Sequence, residues 1–130
     1  MEIRPKGPSA HGDRQMFSGE VWFDVIARGE EPSRVRVNTV RFAPGARTAW
    51  HSHVRGQTLY VTDGVGQVQS RGGEVVEIRP GDVVYAEPDE WHWHGATPHD
   101  FMTHLSITES AGDGIAETQW GPHVGAEDAS

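Results

Sequence analysis

Four of the chain's eight histidines fall into two pairs, His51/His53 and His92/His94, and there is no cysteine to compete for a metal. The first pair lies in AWHSHVRGQTLYVTDG, residues 49–64, where an amide, Gln57, follows four positions after His53. Residues at i and i+2 of a strand project to one face, so His51 and His53 aim two imidazoles into one space. A turn over 54–56 brings Gln57 back toward that space, and His92 can enter it from a strand far along the chain. Two outcomes fit: a hydrated or structural histidine pair, or three imidazoles and a carboxamide around a divalent ion. Imidazole and a neutral oxygen donor suit borderline divalent metals and leave positions open for water or substrate. The distant third histidine and the framing glycines Gly45, Gly64 and Gly81 weigh toward the metal.

The second pair adds chemistry. If His92 faces inward, so does His94, within the four consecutive ring-bearing residues of WHWH (91–94). His104, in FMTHLSIT (101–108), shares a strand face with Met102 and Ser106. Each has a plainer alternative: a hydrogen-bonded rim histidine for His94, a buried and satisfied one for His104. Near a metal but not bound to it, both can carry protons, because an ordinary imidazole titrates at about 6.5. His99 sits in a loop and His11 and His123 in the terminal stretches, where no role is assigned. An amide at position 57 leaves the ion's charge uncompensated, which favours a bound anion. It also removes a ligand carboxylate that could act as a base, and it gives no anionic support to oxygen-activating chemistry.

The elements that must position these side chains are strands. Residues 16–26 alternate, with Phe17, Gly19, Val21, Phe23 and Val25 on one side. RVRVNTVRF (34–42), TLYVTDG (58–64), GQVQS (66–70), EVVEI (74–78), VVYAE (83–87) and FMTHLSIT (101–108) follow, separated by Pro-Gly, Asp-Gly and Gly-Gly turns. No window carries a helical period, so the chain reads as an all-β sandwich or barrel. One domain is expected over 1–130, with a barrel core of roughly 16–110, a polar arm over 1–15 and a loosely held tail over 111–130.

Composition narrows the classes of partner. A formal charge of −8 opposes phosphate backbones and no cluster of Lys and Arg offsets it, so nucleic acid is excluded. No run approaches the roughly 18–20 apolar residues of a bilayer span, so no membrane partner is expected. The opening MEIRPKGPSAHGDRQ lacks the apolar stretch of a secretory signal, and a cysteine-free chain fits a cytoplasmic location. Small barrels cover open strand edges by pairing; a homodimer or homotetramer is expected, with contact near Val21–Ile26.

The spacing Gly45-x5-His51-x-His53-x3-Gln57-x6-Gly64, followed by Gly81 and, after ten residues, His92, resembles the two motifs of the cupin superfamily. The resemblance covers roughly residues 35–108 and implies a double-stranded β-helix, a small jelly-roll barrel, with a metal held by His51, His53, Gln57 and His92. Glu87 and Asp89 stand where proline and glycine are usual, and Asp tolerates the left-handed turn this requires. PGARTAWHSHVRGQTLYVT, RPGDVVYAEPDEWHWHGA and MTHLSITE more specifically resemble the small bacterial manganese-dependent cupins that act as hydroxynitrile lyases. That resemblance implies Mn2+, with Fe2+, Ni2+ or Zn2+ as alternatives, and a cyanohydrin, or aldehyde plus cyanide, as the small-molecule substrate. It places His94 and His104 as the catalytic histidines. Asn38, Val40, Phe42 and Tyr60 are the expected pocket wall. A small cupin dioxygenase is the alternative activity, and a ligand-binding or isomerase-type cupin the third.

Overall fold

In a computed structural model, residues 1–112 and 114–125 are described, and all their regular elements are strands. One sheet is ordered β1-β3-β4-β12-β7-β10. Its members are β1 (Ala10–His11), β3 (Val21–Arg28), β4 (Val35–Phe42), β7 (Gln57–Gly64), β10 (Val83–Ala86) and β12 (Met102–Glu109). The other runs β13-β6-β11-β5-β2, with β8 paired to β11 and β9 to β8. It contains β2 (Phe17–Ser18), β5 (Arg47–Thr48), β6 (His51–His53), β8 (Gly66–Ser70), β9 (Val76–Ile78), β11 (His92–Ala96) and β13 (Thr118–Trp120). All pairings are antiparallel, and the two sheets curl into an all-β barrel.

Alternation explains what fills it. On β7, Gln57, Leu59 and Val61 are buried while Tyr60 is exposed. On β4, Val40 and Phe42 turn inward, and β12 sets Met102 opposite Phe42, His104 opposite Val40 and Ser106 opposite Asn38. A bulge absorbs one extra residue of β7, so that Thr103 faces Asp63 but His104 faces Val61. Val21, Val40, Phe42, Val61, Ile78 and Met102 form the apolar core at one end of the interior, which leaves the other end to polar side chains.

Two tight spots depend on backbone conformation. Gly64 has φ +77°, and a Cβ there would lie 1.9 Å from the Phe101 carbonyl oxygen, so the chain closes onto β12 only with glycine. Asp89 also takes a positive φ, 65°; it follows Pro88 in a turn closed by Glu90 N–H on the Glu87 carbonyl. The substitution of Asp for the usual glycine is thus accommodated as the sequence predicts.

Both terminal stretches pack against the barrel. The arm docks: β1 pairs with Trp22 and Phe23, and Arg41 donates to Asp24 at 2.7 Å beside Ser9 and Lys6. The tail, expected to be loosely held, contributes β13, whose Thr118 and Trp120 pair with His53 and His51. Its last five residues, with Asp113, lie outside the described residues.

Candidate metal centre and adjoining cavity

β6 and β11 bring the donors together. Their single paired position is His92 opposite His51, and His53 lies two residues on, so parity puts all three rings on the inner face. Ligand atoms of His51, His53 and His92 lie within 4.8 Å of one another, and all three residues are buried. Gln57 enters from the first residue of β7 and places Oε1 2.9 Å from His92 Nε2.

Hydrogen bonds on the far side of each ring settle which nitrogen faces inward. His51 Nδ1 donates to the Ala49 carbonyl at 2.9 Å, His92 Nδ1 to the Glu90 carbonyl at 2.8 Å and His53 Nδ1 to the Glu117 carboxylate at 2.7 Å. A carbonyl or carboxylate oxygen can only accept, so each Nδ1 carries the proton and each neutral ring turns a lone pair inward through Nε2. Ser106 fixes the carboxamide in the same sense: Gln57 Nε2 donates to its hydroxyl at 2.9 Å, which leaves Oε1 facing His92. Four lone pairs therefore converge. Among the described residues, His53 Nε2 is buried without any partner, and the acceptor of Gln57 faces the acceptor of His92. Both features cost free energy in an empty site and are satisfied by a cation. The donor set fits a divalent metal.

Ionisation states agree. Burial, then the neighbouring His92 and His53, pushes His51 well below the ordinary 6.5, and burial is the main cause that lowers His92. At neutral pH both rings are free to coordinate.

A carboxylate reaches the site from outside the expected ligand set. Glu117, whose side chain is 8% exposed, abuts His53 and also accepts from the Thr118 hydroxyl. Burial raises its pKa, but the hydrogen bonds from His53 and Thr118 prevail and hold the carboxyl below its ordinary value.

His94 and His104 form a second, fully internal pair. His94 Nδ1 and His104 Nε2 are 2.9 Å apart, and Phe42 packs its ring against both. Burial, with His104 as the first of several charged-neighbour effects, drives His94 well below 6.5, and burial lowers His104 to about 4. The two differ in access. His94 lines a cavity of about 260 Å³ that also contacts His51, His53 and Gln57, whereas His104 is 0% exposed and lies outside that lining. Phe17, Phe23, Val40 and Trp120 give the cavity its apolar wall, and Asn38, Ser106 and Thr108 a polar one.

Of the four residues expected on the pocket wall, Asn38 and Val40 are there. Phe42 is instead a core residue, 1% exposed, beneath the second histidine pair. Tyr60 is 41% exposed on the outer surface; it is three residues from Gln57 on one strand, and an odd separation reverses the face. His99 is exposed, His11 bonds Glu20 and His123 borders the same surface hollow as His11, and none of the three lines the cavity. Sequence reasoning missed Glu117 and Trp120, whose ring lies 4.7 Å from that of His51.

A curled antiparallel barrel that gathers, inside it, three imidazoles and a carboxamide able to hold a metal ion defines the class of protein. The chain belongs to the cupin family, whose cupin-domain model matches residues 38–108. It is 49% identical over 126 residues, 95% of either chain, to a protein named (R)-mandelonitrile lyase from Granulicella tundricola. A cupin-like protein of Thermotoga maritima superposes with a TM-score of 0.85 at 36% identity, covering 98% of this chain and 94% of that one. A cupin-2 domain protein of Rhodospirillum rubrum gives 0.73 at 15% identity, covering 98% and 84%, and shows the fold alone.

Proposed function

We propose that the protein is a metal-dependent cyanohydrin lyase of the cupin family, cleaving an aryl cyanohydrin such as mandelonitrile to aldehyde and hydrogen cyanide, and running in reverse. The observation that carries the reading is the convergence of His51 Nε2, His53 Nε2, His92 Nε2 and Gln57 Oε1 beside a cavity that His94 also lines. A divalent ion bound by those four residues supplies a Lewis-acid centre that stabilises a small anion. The 49% identity to a mandelonitrile lyase supports the same activity.

The remaining work belongs to the chain's own side chains. Cleavage requires that the hydroxyl lose a proton, the carbon–nitrile bond break and the departing cyanide gain a proton. His94 is the group placed to accept and return that proton, because its Nε2 is buried without a partner and its ring lines the cavity. His104 acts through His94: the hydrogen bond at 2.9 Å fixes the ring's orientation and lets the pair share a proton. Burial keeps both rings neutral, so with His94 Nδ1 engaged by His104 the lone pair on His94 Nε2 is left free to accept. Phe17, Phe23, Val40 and Trp120 offer apolar contact to an aryl group, and they exclude water from the separating ions.

The test is elemental analysis of the purified protein coupled to anaerobic mandelonitrile cleavage. Bound divalent metal, benzaldehyde release without oxygen and loss of both in His92→Ala are expected. Cleavage that requires oxygen, or that survives complete removal of metal, would overturn the proposal.

A further inference from the structure

We propose that Glu117 is a positioning residue for the metal centre, fixing His53 as a donor through Nε2 and contributing the negative charge that the ligands lack. This inference rests on the metal-centre reading above.

The three histidines are oriented by unequal means. His51 and His92 use backbone carbonyls two residues away, neutral groups of their own segments. His53 alone among the three uses a charged side chain, 64 positions distant. That carboxylate is built in rather than incidental. β13 pairs Thr118 with His53, and Val54 N–H donates to the Glu117 carbonyl at 2.9 Å, so the backbone is pinned on both sides of the contact. The Thr118 hydroxyl engages the other carboxylate oxygen. A carboxylate this buried is costly unless paired, and its partner is a metal-facing imidazole.

Two other roles for Glu117 fit less well. As half of a structural ion pair it would need either Arg36, which acts on it only as a charge beyond salt-bridge distance, or a protonated His53, whose Nε2–H would then be buried with no acceptor among the described residues. Glu117 borders the cavity, but as a proton acceptor for substrate it is committed elsewhere, since one oxygen accepts from His53 and the other from the Thr118 hydroxyl. Facing a cation across the imidazole, the carboxylate does what such outer partners do. It raises electron density at the ligating nitrogen, locks the tautomer and offsets part of the ion's charge.

The experiment titrates the metal-free full-length chain with Mn2+, following free ion by electron paramagnetic resonance. Glu117→Gln keeps an acceptor for His53 and removes only the charge; Glu117→Asp keeps the charge at shorter reach. Loss of an outer-sphere partner typically weakens metal binding about 10–100-fold, so the Mn2+ Kd is expected to rise by that factor in Glu117→Gln and to recover partly in Glu117→Asp. Should Glu117→Gln not fold, Thr118→Val, which leaves the carboxylate but strips its support, is expected to weaken Mn2+ several-fold. A Kd within about twofold of wild type in whichever variant folds, or Glu117→Asp no better than Glu117→Gln, overturns the inference. A wild-type chain that binds none of Mn2+, Fe2+, Ni2+ or Zn2+ overturns the metal-centre reading beneath it, a separate result.

Discussion

Acid should unfold this protein through His104, and the size of the effect can be worked from its surroundings. The ring is fully buried, and burial lowers its pKa from 6.5 to about 4. In the unfolded chain the same imidazole titrates normally, so between those values the unfolded state binds a proton that the folded state refuses. Stability is then full above the unfolded pKa and falls as the pH drops through the window from 6.5 to about 4. At about 1.4 kcal/mol per decade, linkage from this one group removes about 2 kcal/mol by pH 5 and about 3 kcal/mol by pH 4, relative to neutrality. That is a large share of the roughly 5–15 kcal/mol by which domains are stable. The assay is urea unfolding of metal-free wild type and His104→Gln at pH 7, 5 and 4, which keeps metal linkage out of the comparison. The variant starts less stable, because it loses a packed ring and the bond to His94, but its stability should decline less with acid. The gap between the two proteins should close by about 3 kcal/mol across the range. A gap that stays constant from pH 7 to pH 4 would refute the argument that burial holds His104 neutral.

Two further outcomes are expected. Gln57→Glu should retain the ion, because a carboxylate is also an oxygen donor, but weaken cyanide binding by about tenfold or more through added negative charge; an unchanged cyanide dissociation constant would dismiss electrostatics as the reason for the amide. Gly64→Ala should lower the thermal midpoint through a cost of about 2 kcal/mol or more, since its Cβ would meet the Phe101 carbonyl at 1.9 Å and the backbone is left-handed; a midpoint within a degree of wild type would contradict that geometry.

Much of this was legible in the sequence because parity is a strong constraint. His51 with His53, and His92 with His94, could share an interior only on strands, and the barrel's strand order set the two pairs side by side. Tyr60, expected on the pocket wall, breaks that rule: it lies an odd number of steps from Gln57 and faces out. Phe42 was placed on the correct face but at the wrong depth, because alternation does not say how far along the barrel the polar end begins. β13 escaped notice as a three-residue strand among glycines, too short to show a period. Glu117 escaped with it, one of 19 acidic residues whose pairing with His53 depends on a contact no local pattern announces. The amide at 57 suggested a centre whose ligands lack negative charge, but nothing about that residue pointed to a carboxylate 60 positions away.

The long reach from His53 to Glu117 also sets the order in which the protein can be finished. As the chain emerges during synthesis, residues 51, 53, 57 and 92 are all available well before residue 117, so an early encounter with metal would meet a second histidine still free to rotate. Only when β13 zips onto β6 is that ring held. On the proposed role of Glu117, the centre is therefore the last part of the barrel to mature.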